Sequence, residues 1–214
     1  MVVHVLQAAS AARRVDRVIV ATDDARIADA VRAAGGEAVM TSSTAASGTD
    51  RVAEVAKRFP ADAYVNVQGD EPLIPPENVD LAVAALLDGP DRSIATLAYP
   101  LAPQAASDPN TVKVVVAMDG RALYFSRSAI PYYRQGEPAY RKHLGIYAYR
   151  GDTLRAIAAL PPSPLERAES LEQLRWLEAG HTIWVGEAAG DSIGVDTASD
   201  LAEAERAWKK EVIS

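Results

Sequence analysis

The chain contains no cysteine. That excludes a disulfide framework, a thiolate nucleophile and cysteine-based zinc or iron–sulfur sites. Histidine is scarce: His4, His143 and His181 are the three present, and they show no metal-ligand spacing. No apolar run approaches the ~20 residues of a transmembrane helix. Met1–Leu6 has neither the basic stretch nor the long apolar stretch of a signal peptide. The expectation is a soluble, cytoplasmic protein without a membrane partner. Positive charge is also in deficit, with 22 Lys and Arg against 29 Asp and Glu and a net charge of −7. A non-specific nucleic-acid binder would carry a basic field, so no nucleic-acid partner is expected. A nucleotide ligand stays open, because a few well-placed cations suffice locally. There is no internal repeat and no low-complexity linker.

What is present is ordinary globular material: 214 residues, 49% hydrophobic and 24% charged. That length suggests one domain over residues 1–214, able to bury about 70% of its unfolded surface without covalent staples. Short β-branched runs alternate with longer alanine-rich stretches. Helices are expected at Met1–Ala12, Ala25–Ala34, Asp50–Phe59, Pro75–Leu87, Gly151–Leu160, Pro164–Ala179 and Ala198–Lys210. Strands are expected at Arg17–Thr22, Glu37–Met40, Ala63–Gln68, Ile94–Tyr99, Val112–Met118, Ala122–Ser126, His143–Arg150 and Thr182–Glu187. Strand–helix alternation early and a hairpin at Asp119-Gly120 later imply an α/β fold, mostly parallel with an antiparallel part.

Five segments could carry chemistry. Asn66-Val-Gln-Gly-Asp-Glu-Pro72 follows a buried strand, where open α/β sheets bind ligands. A hard carboxylate such as Asp70 suits Mg²⁺, although the same residues also read as a capped turn. Gly194-Val-Asp-Thr197 offers Asp196 as a second carboxylate, or simply the cap of the last helix through Thr197 or Ser199. The two carboxylates lie 126 residues apart, so spacing cannot show that they meet. Ser47-Gly-Thr-Asp-Arg51 opens a helix, whose free N–H groups and positive dipole end suit an anion. There Arg51 could read a base or a phosphate, or be a solvated cation beside a Thr49 or Asp50 cap.

Tyr124-Phe-Ser-Arg127 and Arg141-Lys-His-Leu-Gly-Ile-Tyr147 place Arg127, Arg141, Lys142 and His143 near strand ends, which suits an acidic substrate. His143 reads equally as a satisfied, partly buried imidazole. In Ser163–Arg175, Glu166, Glu169 and Gln173 share a helical face. Glu172 and Gln173 could hydrogen-bond sugar hydroxyls, whereas most of the glutamates here read as a solvated face.

Taken in order, these segments resemble the 3-deoxy-manno-octulosonate (Kdo) cytidylyltransferases. The likeness runs from Met1-Val-Val-His-Val-Leu6 through Val-Ile-Val-Ala-Thr-Asp23, Ser-Gly-Thr-Asp-Arg51, Val-Asn-Val-Gln-Gly-Asp-Glu-Pro72, Tyr-Phe-Ser-Arg127, His-Leu-Gly-Ile-Tyr147, Leu-Glu-Gln-Leu-Arg175 and Gly-Val-Asp-Thr197. It implies a three-layer nucleotide-diphospho-sugar transferase-like fold with a mostly parallel central sheet and an antiparallel dimerisation part. It also implies transfer of a cytidylyl group from CTP to Kdo, with release of pyrophosphate, for lipopolysaccharide synthesis in Gram-negative bacteria. By the same resemblance Mg²⁺ would sit on Asp70 and Asp196, and the catalytic roles would fall to those two residues. Thr49, Arg51 and Gln68 would surround the nucleotide. Arg127, His143, Tyr147, Glu172 and Gln173 would surround the sugar acid. The family is typically a cytoplasmic homodimer.

One departure accompanies the resemblance. The family opens with a strand and a loop reading approximately Pro-Ala-Arg-x-x-Ser-x-Arg-Leu-Pro-Gly-Lys-Pro, whose cations grip the CTP phosphates. The match here begins after that loop. A first strand and phosphate loop of roughly 25–30 residues are expected to be absent, and the 214-residue chain is expected to be nearly inactive alone.

Overall fold

Binary patterning and end signals account for most elements of the computed structural model, which describes residues 1–195 and 197–213. Asp196, expected as a metal ligand, therefore lies outside the described residues. The chain forms two compact units. The first comprises Met1–Pro60, Asn66–Asp80 and Ala189–Ser214; the second comprises Ala61–Val65 and Leu81–Ala188. Among the described residues, no helix is long and apolar enough to cross a membrane.

In the first unit, α1 (Val2–Ala11) buries Val5, Leu6 and Ala9 at helical spacing. It ends where the Asp80 carboxylate accepts from the backbone N–H groups of Arg13 and Arg14 at 2.8 and 2.7 Å. β1 (Ile19–Thr22) pairs in parallel with β2 (Glu37–Met40). Between them runs α2 (Ala25–Ala33), capped by the Asp24 side chain, which accepts from the Arg26 N–H. Gly35 turns the chain out of α2 with φ +81°. A Cβ on Gly36 would fall 2.4 Å from Leu6 Cδ2, so a larger residue there would force the Leu6 side chain of α1 to shift. α3 (Gly48–Ala56) follows, capped by Ser47. The closing helix, α8 (Ala198–Ile213), opens with a reciprocal cap: Asp200 Oδ2 accepts from the Thr197 N–H, and Thr197 Oγ1 accepts from the Asp200 N–H.

β3 (Ala63–Asn66) and α4 (Pro76–Leu87) each run from one unit into the other. The second unit is built on β4 (Ile94–Leu101), β5 (Lys113–Val116), β6 (Ala122–Ser126), β7 (Tyr140–Arg150) and β8 (Trp184–Glu187). Their order is β6-β5-β7-β4-β8, with β3 also on β7. A short 3-10 turn, Pro103–Ala105, leaves β4, and α5 (Gly151–Ala158), α6 (Pro164–Glu169) and α7 (Gln173–Glu178) follow β7. Ile94, Leu97, Phe125, Ile146, Tyr149, Leu154, Leu174, Trp176 and Ile183 form a core with no exposed surface.

The α/β class is as expected, but the sheet is more antiparallel than the alternation suggested. β1–β2 and β4–β8 are parallel, whereas β4–β7, β5–β7 and β5–β6 are antiparallel. The long strand β7 contributes most to this, because it runs antiparallel to both β4 and β5. The helix expected over Pro164–Ala179 is two helices. Ser170 adopts the left-handed conformation (φ 52°, ψ 48°) and ends α6. The carbonyls of Glu169 and Ser170, which a continuous helix would bond internally, accept instead from the Arg127 guanidinium at 2.7 and 3.4 Å.

Candidate functional site

The first unit gathers the residues expected around a nucleotide. Ser47 Oγ accepts from the Asp50 N–H at 3.2 Å, and Asp50 Oδ2 reaches back to the Ala46 N–H at 3.1 Å. Ser47, rather than Thr49 or Asp50, is thus the cap, and it fixes the helix entry. Gly48 lies against the end of β3 and the segment after it: a Cβ there would stand 3.3 Å from Asn66 Nδ2 and 3.4 Å from Gln68 Oε1. Thr49 is buried beside it at 2% exposure. The reading of Arg51 as a solvated cation is corrected. Its guanidinium donates to Thr41 Oγ1 at 2.9 Å and the Ser42 carbonyl at 3.1 Å, and lies 3.2 Å from Asp23 Oδ2. Arg51 is therefore a fixed positive group at the start of α3.

Asp70 is half-buried. Its carbonyl accepts from the Val195 N–H at 2.9 Å, and the fully buried Asn78 clamps the same C-terminal segment. Asn78 Oδ1 accepts from the Ala189 N–H and Nδ2 donates to the Gly190 carbonyl, both at 2.9 Å. The two carboxylate-bearing motifs, 126 residues apart in sequence, are thus joined by a backbone hydrogen bond one residue before Asp196. A Cβ on Gly69 would meet nothing within 4 Å, so the chain beside Asp70 is open. Among the described residues no group of three or more His, Asp or Glu could hold a metal ion. The donor chemistry nonetheless fits Mg²⁺, which takes one or two carboxylates and completes its shell with water and substrate oxygens.

The second unit holds the remaining candidates. β7 carries an irregularity opposite β4: the register passes from Thr96–Tyr147 to Leu97–Leu144, leaving Gly145 and Ile146 unmatched. Four residues of regular strand span about 13 Å, yet the His143 and Tyr147 rings are 5.3 Å apart. The bulge brings two polar aromatics together that a regular strand would separate. His143 is 8% exposed, packs edge-on against Phe125 at 4.9 Å, and has its pKa pushed down to about 3 by burial. Burial raises the Tyr147 phenol well above its usual range, with the negative charge of Glu172 adding to the effect. Both groups are neutral at pH 7. Trp176 meets the Tyr147 ring edge-on at 5.0 Å, which ties α7 to this patch.

Gln173 is 4% exposed at the start of α7. Glu172 precedes it, 3.4 Å from the Arg175 guanidinium. Arg127 is occupied by carbonyls: besides Glu169 and Ser170, it donates to Pro109 O at 2.9 Å. The expectation that most glutamates here are solvated is corrected. Glu166 completes a capping box with Ser163 and takes a two-pronged contact from Arg175 at 2.9 and 2.7 Å. Glu169 accepts from Ser126 Oγ at 2.6 Å and from the Arg127 N–H at 2.9 Å. Sequence reasoning also passed over Lys113, whose buried ammonium donates to the carbonyls of Asp108, Thr111 and Arg127 at 2.9, 2.6 and 2.5 Å. Desolvation lowers its pKa. Its signal was a lone cation opening the apolar run Val114-Val-Val116.

Residues 1–183 match the Cytidylyltransferase family. A 3-deoxy-manno-octulosonate cytidylyltransferase of Chlorobaculum tepidum is 49% identical over 216 residues, covering 98% of this chain and 87% of the relative. This chain belongs to the 3-deoxy-manno-octulosonate cytidylyltransferase family. The Escherichia coli member is 48% identical over 202 residues, covering 94% of this chain and 82% of its own. A solved structure of CMP:2-keto-3-deoxy-manno-octonic acid synthetase, in complex with CTP, superposes with a TM-score of 0.92 at 46% identity, covering 97% of this chain and 87% of that one. HddC from Yersinia pseudotuberculosis shares the fold alone, at 10% identity and a TM-score of 0.63. The nucleotidyltransferase-like fold and the cytidylyltransferase class are those of the family.

Proposed function

We propose that this chain transfers a cytidylyl group from CTP to 3-deoxy-manno-octulosonate, giving CMP-Kdo and pyrophosphate for lipopolysaccharide assembly in the cytoplasm. The observation that carries this reading is the 0.92 TM-score, at 46% identity, to a CTP-bound synthetase of that activity. In the reaction the sugar's anomeric hydroxyl oxygen bonds to the α-phosphorus and the α–β phosphoanhydride breaks. Pyrophosphate leaves, and the hydroxyl proton passes to solvent. Such a transfer is chiefly positioning and charge stabilisation and needs no protein nucleophile, in keeping with a chain without cysteine.

In this reading Thr49, Arg51 and Gln68 receive the nucleotide in the first unit. The fixed guanidinium of Arg51 and the free N–H groups at the start of α3 supply positive potential. Asp70, with Asp196, would hold Mg²⁺, which when bound neutralises phosphate charge. In the second unit His143, Tyr147, Glu172 and Gln173 receive the sugar acid. Arg127 serves them by holding the α6–α7 break in place through the Glu169 and Ser170 carbonyls. The functional form in this proposal is a homodimer. The test is direct: the chain extended by the strand and phosphate loop that the family carries should, with CTP, Kdo and Mg²⁺, release pyrophosphate and yield CMP-Kdo by mass, whereas the 214-residue chain alone should be nearly inactive. Release with sialate or an amino-Kdo at equal or higher kcat/KM would move the assignment to another sugar acid. Binding without any turnover would make it a non-catalytic protein.

A further inference from the structure

The bulge in β7 leaves a question of protons that the geometry answers. Thr96 Oγ1, completely buried, lies 2.7 Å from Ile146 O, 3.2 Å from Leu144 O and 3.0 Å from His143 Nε2. One carbonyl, of Leu144, precedes the unmatched pair Gly145-Ile146 and the other, of Ile146, belongs to it, where the ladder to β4 is interrupted. A buried carbonyl without a donor is costly. A threonine hydroxyl carries one proton. Carbonyls can only accept, so that proton goes to the bulge, in the 2.7 Å bond to Ile146 O. The hydroxyl oxygen is then left with lone pairs facing His143 Nε2, and that nitrogen must be the donor. A neutral imidazole has a single N–H, so Nδ1 is bare. Among the described residues Nδ1 has no hydrogen-bond partner, and it is not one of the fully buried unpartnered atoms.

We propose that Thr96 is a positioning residue that locks His143 as the Nε2–H tautomer, so that Nδ1 meets the substrate as a hydrogen-bond acceptor for a sugar hydroxyl rather than as a donor to its carboxylate. The lock itself stands on the bulge geometry. Its catalytic consequence rests on the proposed function. Replacing Thr96 by valine keeps the volume and removes the only proton the bulge receives from this side chain. The ring then loses its acceptor at Nε2 and can populate the other tautomer. Thr96→Ser keeps the hydroxyl and the lock.

The experiment uses the full chain labelled with ¹⁵N at its histidines. Long-range ¹H–¹⁵N spectra of the unmodified protein are expected to show His143 as a neutral ring protonated at Nε2, and Thr96→Ser the same. Thr96→Val is expected to show mixed or reversed protonation. In turnover assays on the chain extended by the family's strand and phosphate loop, Thr96→Val should raise KM for Kdo by about tenfold, the scale of one lost hydrogen bond, with KM for CTP unchanged and Thr96→Ser restoring the value. A wild-type ring protonated at Nδ1 overturns the proposal, whether or not Thr96→Val folds. So does a folded Thr96→Val that retains both the Nε2–H ring and the wild-type KM for Kdo. If no CMP-Kdo forms with any variant, the functional reading fails while the spectra still decide the lock.

Discussion

Breaking the Glu166–Arg175 pair should cost this chain far more than a surface ion pair would. Arg175 is held by two contacts to Glu166, at 2.9 and 2.7 Å, and a third bond to Leu160 O at 2.9 Å. The side chains are 9% and 15% exposed. Removing one member of such a pair leaves the other charge without compensation, at about 3–5 kcal/mol. Exposed pairs in the same chain, such as Arg32–Asp29, should contribute about 0–1 kcal/mol. Glu166→Gln keeps an acceptor for the Ser163 N–H but loses the charge. Arg175→Met keeps the apolar stem and loses the guanidinium.

Each single change is expected to lower stability by about 3 kcal/mol, and for a chain of this size that is about 6–12 °C in Tm. The double variant should fall well short of the sum, with a coupling of at least about 1.5 kcal/mol, because neither charge is then stranded. Urea unfolding followed by tryptophan fluorescence reads this directly, since the completely buried Trp176 is the next residue after Arg175. Two single changes of under about 1 kcal/mol each that simply add would refute the reasoning and return the pair to the solvated class.

Two further outcomes follow from local geometry. At Ser170, φ is 52°, so Ser170→Gly should be neutral or slightly stabilising while Ser170→Val should cost roughly 1–2 kcal/mol in the same urea assay. Equal effects of the two would mean that the left-handed turn is not retained. At His143 the folded pKa is depressed to about 3 against ~6.5 in the unfolded chain. Its contribution is fully present above pH ~6.5 and is lost as pH falls toward 3, because only the unfolded state binds the proton. Stability should drop by about 1 kcal/mol per pH unit between pH ~6 and ~4 more steeply than in His143→Gln. Parallel pH profiles for the two proteins would contradict a buried neutral imidazole.

The elements that local chemistry specifies were legible. Glu37–Met40 and Ala122–Ser126 form with the expected bounds, and the Asp24 cap and Gly35 exit of α2 follow from residue type alone. Failures came where long-range partners override local pattern. Nothing between Pro164 and Ala179 forbids one helix. The break at Ser170 is set by Arg127, 43 residues away, which takes the carbonyls a continuous helix would need. The glutamates of that stretch looked solvated because charge on a helix usually is, and their partners come from β6, from Arg127 and from the next helix. The β7 bulge left no trace in composition, so the pairing of His143 with Thr96, 47 positions apart, was out of reach. On the nucleotide side the motifs themselves were legible, while the bond joining Asp70 to Val195 was not.

The distribution of charge in the second unit bears on how a sugar acid would be recognised there. Lys113 is spent on three carbonyls, Arg127 on three, and Arg175 on Glu166 and Leu160 O. These cations are engaged by carbonyls and by Glu166 at the loops and helix ends around the patch. Beside the Glu172 carboxylate, what the patch presents is neutral and held by packing: His143 and Tyr147, both with their charged forms suppressed by burial, and the buried amide of Gln173. Oriented neutral donors and acceptors discriminate by leaving a buried partner unpaired when a hydroxyl is missing or misplaced, a penalty much larger than a poor apolar fit. Under the proposed function, choice among sugar acids in this unit is therefore made on the hydroxyl pattern and not on the carboxylate that all of them share. Deoxygenated or epimeric Kdo analogues should lose kcat/KM more steeply than analogues with the carboxylate amidated, if binding in this unit sets the selectivity.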